Sequence, residues 1–112
     1  MKKILFLLMI LLSSVGYSQK FNSEFNFVID FDGKTREEKR FSGRWTVVDS
    51  TLYQFYGKDS LEYKIYKIVN RDVYYINDFG ELIKVLFMAN GQVLKTNTTR
   101  PKEYLIYRKE NL

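Results

Sequence analysis

From residue 24 onward the chain is a series of short aromatic and β-branched runs in which apolar and polar positions alternate with a period of two. No later stretch keeps a helical period over a helix length. Phe25, Phe27, Ile29 and Phe31 fall on one face of the first run, and Asn26, Val28 and Asp30 on the other. Asp32-Gly33 then suits a tight hairpin turn, because glycine accepts positive φ at little cost. The return strand is expected over Thr35 to Phe41. Arg44 to Tyr56 is long for one strand and is expected to bend near Asp49-Ser50, with Trp45 and Val47 inward on its first arm. Within Leu61 to Val69 the apolar phase slips from Tyr63 and Ile65 to Tyr66 and Ile68, which predicts a β-bulge near Ile65 and Tyr66.

Further strands are predicted over 73–76, 81–89, 92–98 and 103–109, separated by Asn77-Asp78-Phe79-Gly80, Asn90-Gly91 and the break at Pro101. Asn90-Gly91 is the strongest hairpin signal in the chain. Glu81 to Ala89 is apolar on both faces, as befits a central strand or one covered by a second layer. No connection is long enough for a crossover helix. The fold class is therefore all-β, an antiparallel meander of about eight strands. Closing the sheet removes exposed edges, which favours a small barrel or strongly curled sheet over the alternative of a compact β-sandwich.

The segment before this pattern has a different character. Lys2 and Lys3 precede an unbroken apolar run, Ile4 to Leu12, and then a short polar stretch with small residues at Gly16 and Ser18. This order reads as a secretory signal peptide over 1–18. The run is about half of the roughly 20 residues that a membrane helix needs. It resembles signal peptides of Bacteroidetes, and no Cys follows it for lipidation. The expected layout is signal peptide 1–18, flexible leader 19–23 and a single β domain 24–112, periplasmic or secreted, with no transmembrane span after cleavage.

Composition narrows the chemistry. The chain has no Cys and no His, so neither disulfides nor the usual soft metal ligands are at hand, and no cofactor is expected. Packing must carry the fold, through nine Phe, nine Tyr and one Trp. The formal charge of +5 falls to +3 without Lys2 and Lys3, and the excess is interspersed rather than gathered in a stripe, which argues against nucleic acid as a partner. The mixed run Arg36-Glu37-Glu38-Lys39-Arg40 reads as a solvated edge that discourages strand pairing between molecules. No His is available as a base near neutral pH, there is no Cys nucleophile, and the serines at 42, 50 and 60 lack a base partner. Asp30 and Asp32 are explained by the turn they lead into. The chain is not expected to be an enzyme. Asp49-Ser50-Thr51 and Asp59-Ser60-Leu61 resemble tripeptides used for O-glycosylation in Bacteroidetes.

Gly43-Arg44-Trp45 stands at the start of a strand and holds the only tryptophan. Here the chain resembles small bacterial lipocalin-like domains, whose first barrel strand opens with Gly-x-Trp. The resemblance implies that Trp45 packs across a closed barrel end and that an Arg late in the barrel lies over its ring. Arg108 is the best match for that Arg, so Gly43, Trp45 and Arg108 are expected to be structural. The aromatic cluster Tyr53, Phe55, Tyr56, Tyr63, Tyr66 and Tyr74 is the candidate ligand-binding face. Two functions follow. One is a barrel-like binding protein for an apolar or amphipathic small molecule. The alternative is an envelope-associated interaction or structural domain with a fully packed core. A cavity of roughly 300 Å³ or more lined by aromatic rings separates the first from the second.

Overall fold

The computed structural model describes residues 21–110, so the segment read as a signal peptide lies outside the described residues. Ten strands follow one another: β1 (Asn22–Phe25), β2 (Phe27–Phe31), β3 (Arg36–Lys39), β4 (Gly43–Val48), β5 (Thr51–Tyr56), β6 (Asp59–Val69), β7 (Asp72–Ile76), β8 (Leu82–Phe87), β9 (Val93–Asn97) and β10 (Tyr104–Arg108). Every pairing is antiparallel, in the order β1-β4-β5-β6-β7-β8-β9-β10-β2-β3. Only Asn26 separates β1 from β2, so one short segment pairs with β4 through its first half and with β10 and β3 through its second. The sheet thus curls round until its far strand meets its beginning. This is a single strongly curled, barrel-like row of strands rather than two stacked sheets.

Several expected elements stand where the pattern placed them. β6 slips register between Ile65 and Lys67, at the predicted bulge. At Asn90-Gly91 the Met88 amide donates to the Gln92 carbonyl at 2.8 Å, and Gly91 holds a φ of 89° that an L side chain rarely adopts. The two additional strands arise because the first expected strand is interrupted at Asn26 and Arg44 to Tyr56 divides into β4 and β5 at the expected bend, 49–50.

The Asn26 interruption changes the face assignment. Phe25 and Val28 are both in the core, so the expected Phe25-Phe27-Ile29-Phe31 face does not run through. Its last three residues instead share the outer side with Arg108, Ile106 and Tyr104, their direct cross-strand partners. The cause is tertiary. The Asn26 side chain accepts from the Glu110 amide at 2.7 Å and donates to the Glu110 carbonyl at 2.9 Å, which pins the kink to the C-terminal strand's exit. Residues 21–23, expected in a flexible leader, belong to the domain. Phe21 is fully buried against Phe87 (ring centroids 5.4 Å apart), and Asn22 and Ser23 pair with Thr46 and Trp45.

Alternating strand direction gathers the loops at 32–35, 57–58, 77–81 and 98–103 at one end of the barrel. The loops at 49–50, 70–71 and 88–92 lie at the other, beside Phe21. Phe21, Leu52, Val73, Val85, Phe87 and Val93 fill the interior toward that second end and are essentially without solvent contact. The first end is the mouth.

Candidate functional site

Three aromatic rings line the way from the packed interior toward the mouth. Trp45 on β4 stacks on Tyr63 of β6 (6.3 Å, 21° between planes), and Tyr63 stacks on Tyr75 of β7 (4.2 Å, 26°). Tyr107 of β10 closes the other side of Trp45 edge-on at 5.2 Å. Trp45 is fully buried, while Tyr63 and Tyr75 also border a cavity of about 420 Å³ that opens at the mouth. Burial pushes the phenols of Tyr63, Tyr75 and Tyr107 up from their ordinary value, so all three are neutral hydroxyls at neutral pH.

Lys95 lies in the wall of this cavity. The Asn90-Gly91 hairpin sets β9 against β8 so that Lys95 pairs with Val85, and β10 sets Leu105 on its other side. Val85 is fully buried and Leu105 packs on the core, so the register carries Lys95 inward with them. Its amine reaches 5.9 Å from the ring centroids of Trp45 and Tyr63 and 6.0 Å from that of Tyr75. These distances sit at the edge of the range in which a cation is drawn to an aromatic face. Among the described residues the Lys95 amine makes no hydrogen bond and no ion pair. Desolvation lowers its pKa from the ordinary lysine value.

The acids around the mouth are engaged elsewhere. Asp30 pairs with Lys39 at 3.5 Å, and Glu103 with Arg100 at 3.0 Å. Arg100 also reaches Glu81 at 3.3 Å. Asp32 accepts from the amides of Thr35 (2.7 Å) and Lys34 (2.9 Å), which hold its carboxyl below the ordinary aspartate value. The mouth therefore presents hydroxyls, apolar walls, charged groups that already have partners, and one cation, Lys95, that has only rings for company. A larger surface depression, of about 530 Å³, lies beside Phe25, Gly43 and Phe55. Its charges, Arg44, Glu24 and Lys109, pair with one another, so it holds no comparable unmatched group.

Of the six candidate ligand-binding residues, only Tyr63 lines the mouth. Tyr53 and Phe55 stack on each other at 5.6 Å on the outer face, because they alternate with the inward Leu52 and Gln54. Tyr74 alternates with Val73 and Tyr75 and lies outside under the Lys67 amine at 4.9 Å. Tyr66 sits at the bulge and is 62% exposed. Tyr56 is half-buried and borders a separate shallow depression with Phe41. The structure thus does not bring the six together. Tyr75 and Lys95 were readable from alternation combined with the Asn90-Gly91 register, although a lysine on a strand is ordinarily assigned to solvent.

The expected Arg108–Trp45 stack is replaced by two other pairings. Arg108 shares the outer side with Phe27 and lies 4.9 Å from that ring, and the cation over Trp45 is Lys95. Tyr107, not Arg108, is the β10 residue that faces inward, so strand alternation itself keeps Arg108 from the indole. Gly43 is structural for a visible reason. A Cβ there would stand 2.2 Å from the Phe55 carbonyl oxygen and 2.5 Å from the Phe25 ring. No family model, no curated protein and no solved structure matches the chain.

Proposed function

We propose that this is an exported, lipocalin-like binding protein that holds an apolar or amphipathic small molecule in the mouth of its barrel and does no chemistry on it. The observation that carries this reading is the cavity of about 420 Å³ bordered by Tyr63 and Tyr75, larger than a packed core would leave. Its inner boundary is the stack that ends on Trp45, so the single tryptophan is a built-in reporter. Placement outside the cytoplasm follows from the signal-peptide pattern over 1–18.

The test is titration of the mature protein with Nile red, an uncharged apolar dye, following energy transfer from Trp45. Saturable transfer that Tyr75→Ala weakens supports the mouth as the site. Absence of saturable binding, by this dye and by medium-chain amphiphiles alike, overturns it and moves the function to the outer face. There the stacked Tyr53 and Phe55, the latter 39% exposed, favour an envelope-associated interaction domain.

A further inference from the structure

We infer that Lys95 is the anion-recognising group of the mouth and that the preferred ligand is a monoanionic amphiphile, a carboxylate head on an apolar body. The inference rests on the mouth being a binding site, and it adds the chemistry that site selects. Lys95 stands between Val85 and Leu105 in an inward row, and its amine lies within 6.0 Å of three ring centroids with no counter-ion among the described residues.

Placing a lysine there is costly unless something repays it. A half-buried ammonium loses hydration, and edge-of-range ring contacts return only part of that loss. A surface lysine on the same strand would escape by snorkelling, but Lys95 starts from a Cβ that points into the barrel. An incoming carboxylate supplies what is missing, a full negative charge and hydrogen-bond acceptors inside a cavity of lowered dielectric. The apolar remainder of the ligand then lies against Tyr63, Tyr75 and Ile83.

The charge pattern also limits the ligand. Asp30, Asp32 and Glu103 border the same cavity, and its second cation, Arg100, is already paired with Glu81 and Glu103, so a dianionic phosphate would meet one uncommitted cation against three carboxylates. A monoanion is matched by the single free amine. A cationic ligand would find Asp30 and Glu103 already ion-paired and Asp32 engaged by two amides, and would be repelled by Lys95 itself. The lowered pKa of Lys95 adds a consequence: carboxylate binding holds the proton on the amine, so affinity falls as pH rises through a value below that of an ordinary lysine.

The experiment titrates mature protein with decanoate, methyl decanoate, decanamide and decyl phosphate, reading Trp45 fluorescence. Decanoate is expected to bind about tenfold to a hundredfold more tightly than the ester or the amide, the range of a charge-assisted contact. Lys95→Met should abolish that preference, so that decanoate binds no more tightly than the ester to this variant. Lys84→Met, from an adjacent strand but paired with Thr96 rather than in the inward row, should leave the preference intact. Lys95→Gln serves in place of Lys95→Met if circular dichroism shows the latter unfolded. Equal affinity for decanoate and its ester overturns the role of Lys95 while leaving the mouth as a binding site. A decanoate preference that survives in Lys95→Met, or tighter binding of decyl phosphate, also overturns it. Binding of none of the four overturns the site itself.

Discussion

The Arg108 guanidinium lies 4.9 Å from the ring centroid of Phe27, on the outside of the barrel, while Arg40 approaches the same ring at 5.1 Å. Both arginines then reach Glu110, at 3.2 Å and 3.0 Å. Phe27 is left only 3% exposed although it faces away from the core. A phenyl ring capped by two cations and a shared carboxylate fastens the C-terminal strand's exit to the kink at Asn26.

This arrangement predicts where coupling will be found. A double-mutant cycle on Phe27→Leu and Arg108→Ala should give a coupling energy of about 0.5–1 kcal/mol, the range for a partly exposed cation–ring pair. The corresponding cycle on Trp45→Phe and Arg108→Ala should give none. Urea denaturation of the four variants in each set measures both. A larger coupling for Trp45 than for Phe27 would contradict the placement of Arg108 on the outer face.

Gly43→Ala tests the close approach of β4 to its neighbours. The added methyl meets a backbone oxygen at 2.2 Å, which cannot turn away as a side chain could. The chain's reduced unfolded-state entropy would normally make this substitution favourable by about 0.4–1 kcal/mol. Overpacking should reverse the sign and give a net loss of about 1–3 kcal/mol. Thermal denaturation showing an unchanged or raised midpoint would mean that the strands separate here without strain.

Much of the fold is legible in the sequence, and the failures have physical causes. Asn90-Gly91 and the phase slip at Ile65 are local signals, and local chemistry decides them. The alternation Phe25-Phe27-Ile29-Phe31 is equally clear, yet it breaks. The breaking contact joins Asn26 to Glu110, 84 residues away, and no window around Asn26 contains it. The six candidate ligand-binding residues are dispersed for a related reason. Tyrosines close in sequence alternate between faces, so Tyr74 points out where Tyr75 points in. Only the cross-strand register groups Tyr63, Tyr75 and Lys95, which come from three strands.

Lys95→Met should raise the stability of the unliganded protein near neutral pH. The substitution removes an ammonium whose solvation the fold has reduced, and methionine fills similar space with apolar atoms. The sign with pH is fixed by the lowered pKa. Between the folded value and the ordinary 10.5 the unfolded chain binds more protons at this site, so wild type gains stability as pH rises and its deficit relative to Lys95→Met shrinks. Denaturation midpoints of both proteins across this window measure the gap. A gap that widens with pH would show that the fold stabilises the charged amine.

The tyrosines act with the opposite sign at higher pH. Burial raises the phenols of Tyr75 and Tyr107, and that of Tyr63, above the ordinary value of 10.0. Below 10.0 these groups are protonated in both folded and unfolded chains, and their stabilising packing is fully present. Above it the unfolded chain releases protons that the folded chain retains, so stability falls as pH rises. For a phenol that stays protonated in the fold, the loss is up to about 2–3 kcal/mol two pH units above its unfolded value. Two such groups approach the whole stability of a domain of this size, about 5–10 kcal/mol, so alkaline unfolding should be steep. Tyr75→Phe removes one titrating group and keeps the ring against Tyr63, at a contact now 4.2 Å between centroids. Its stability should therefore fall less steeply with pH than that of wild type, and ultraviolet titration of the folded protein should show one fewer late-ionising phenol. An alkaline slope unchanged by Tyr75→Phe would mean that this hydroxyl already ionises in the folded barrel, and that water reaches the stack beneath the mouth.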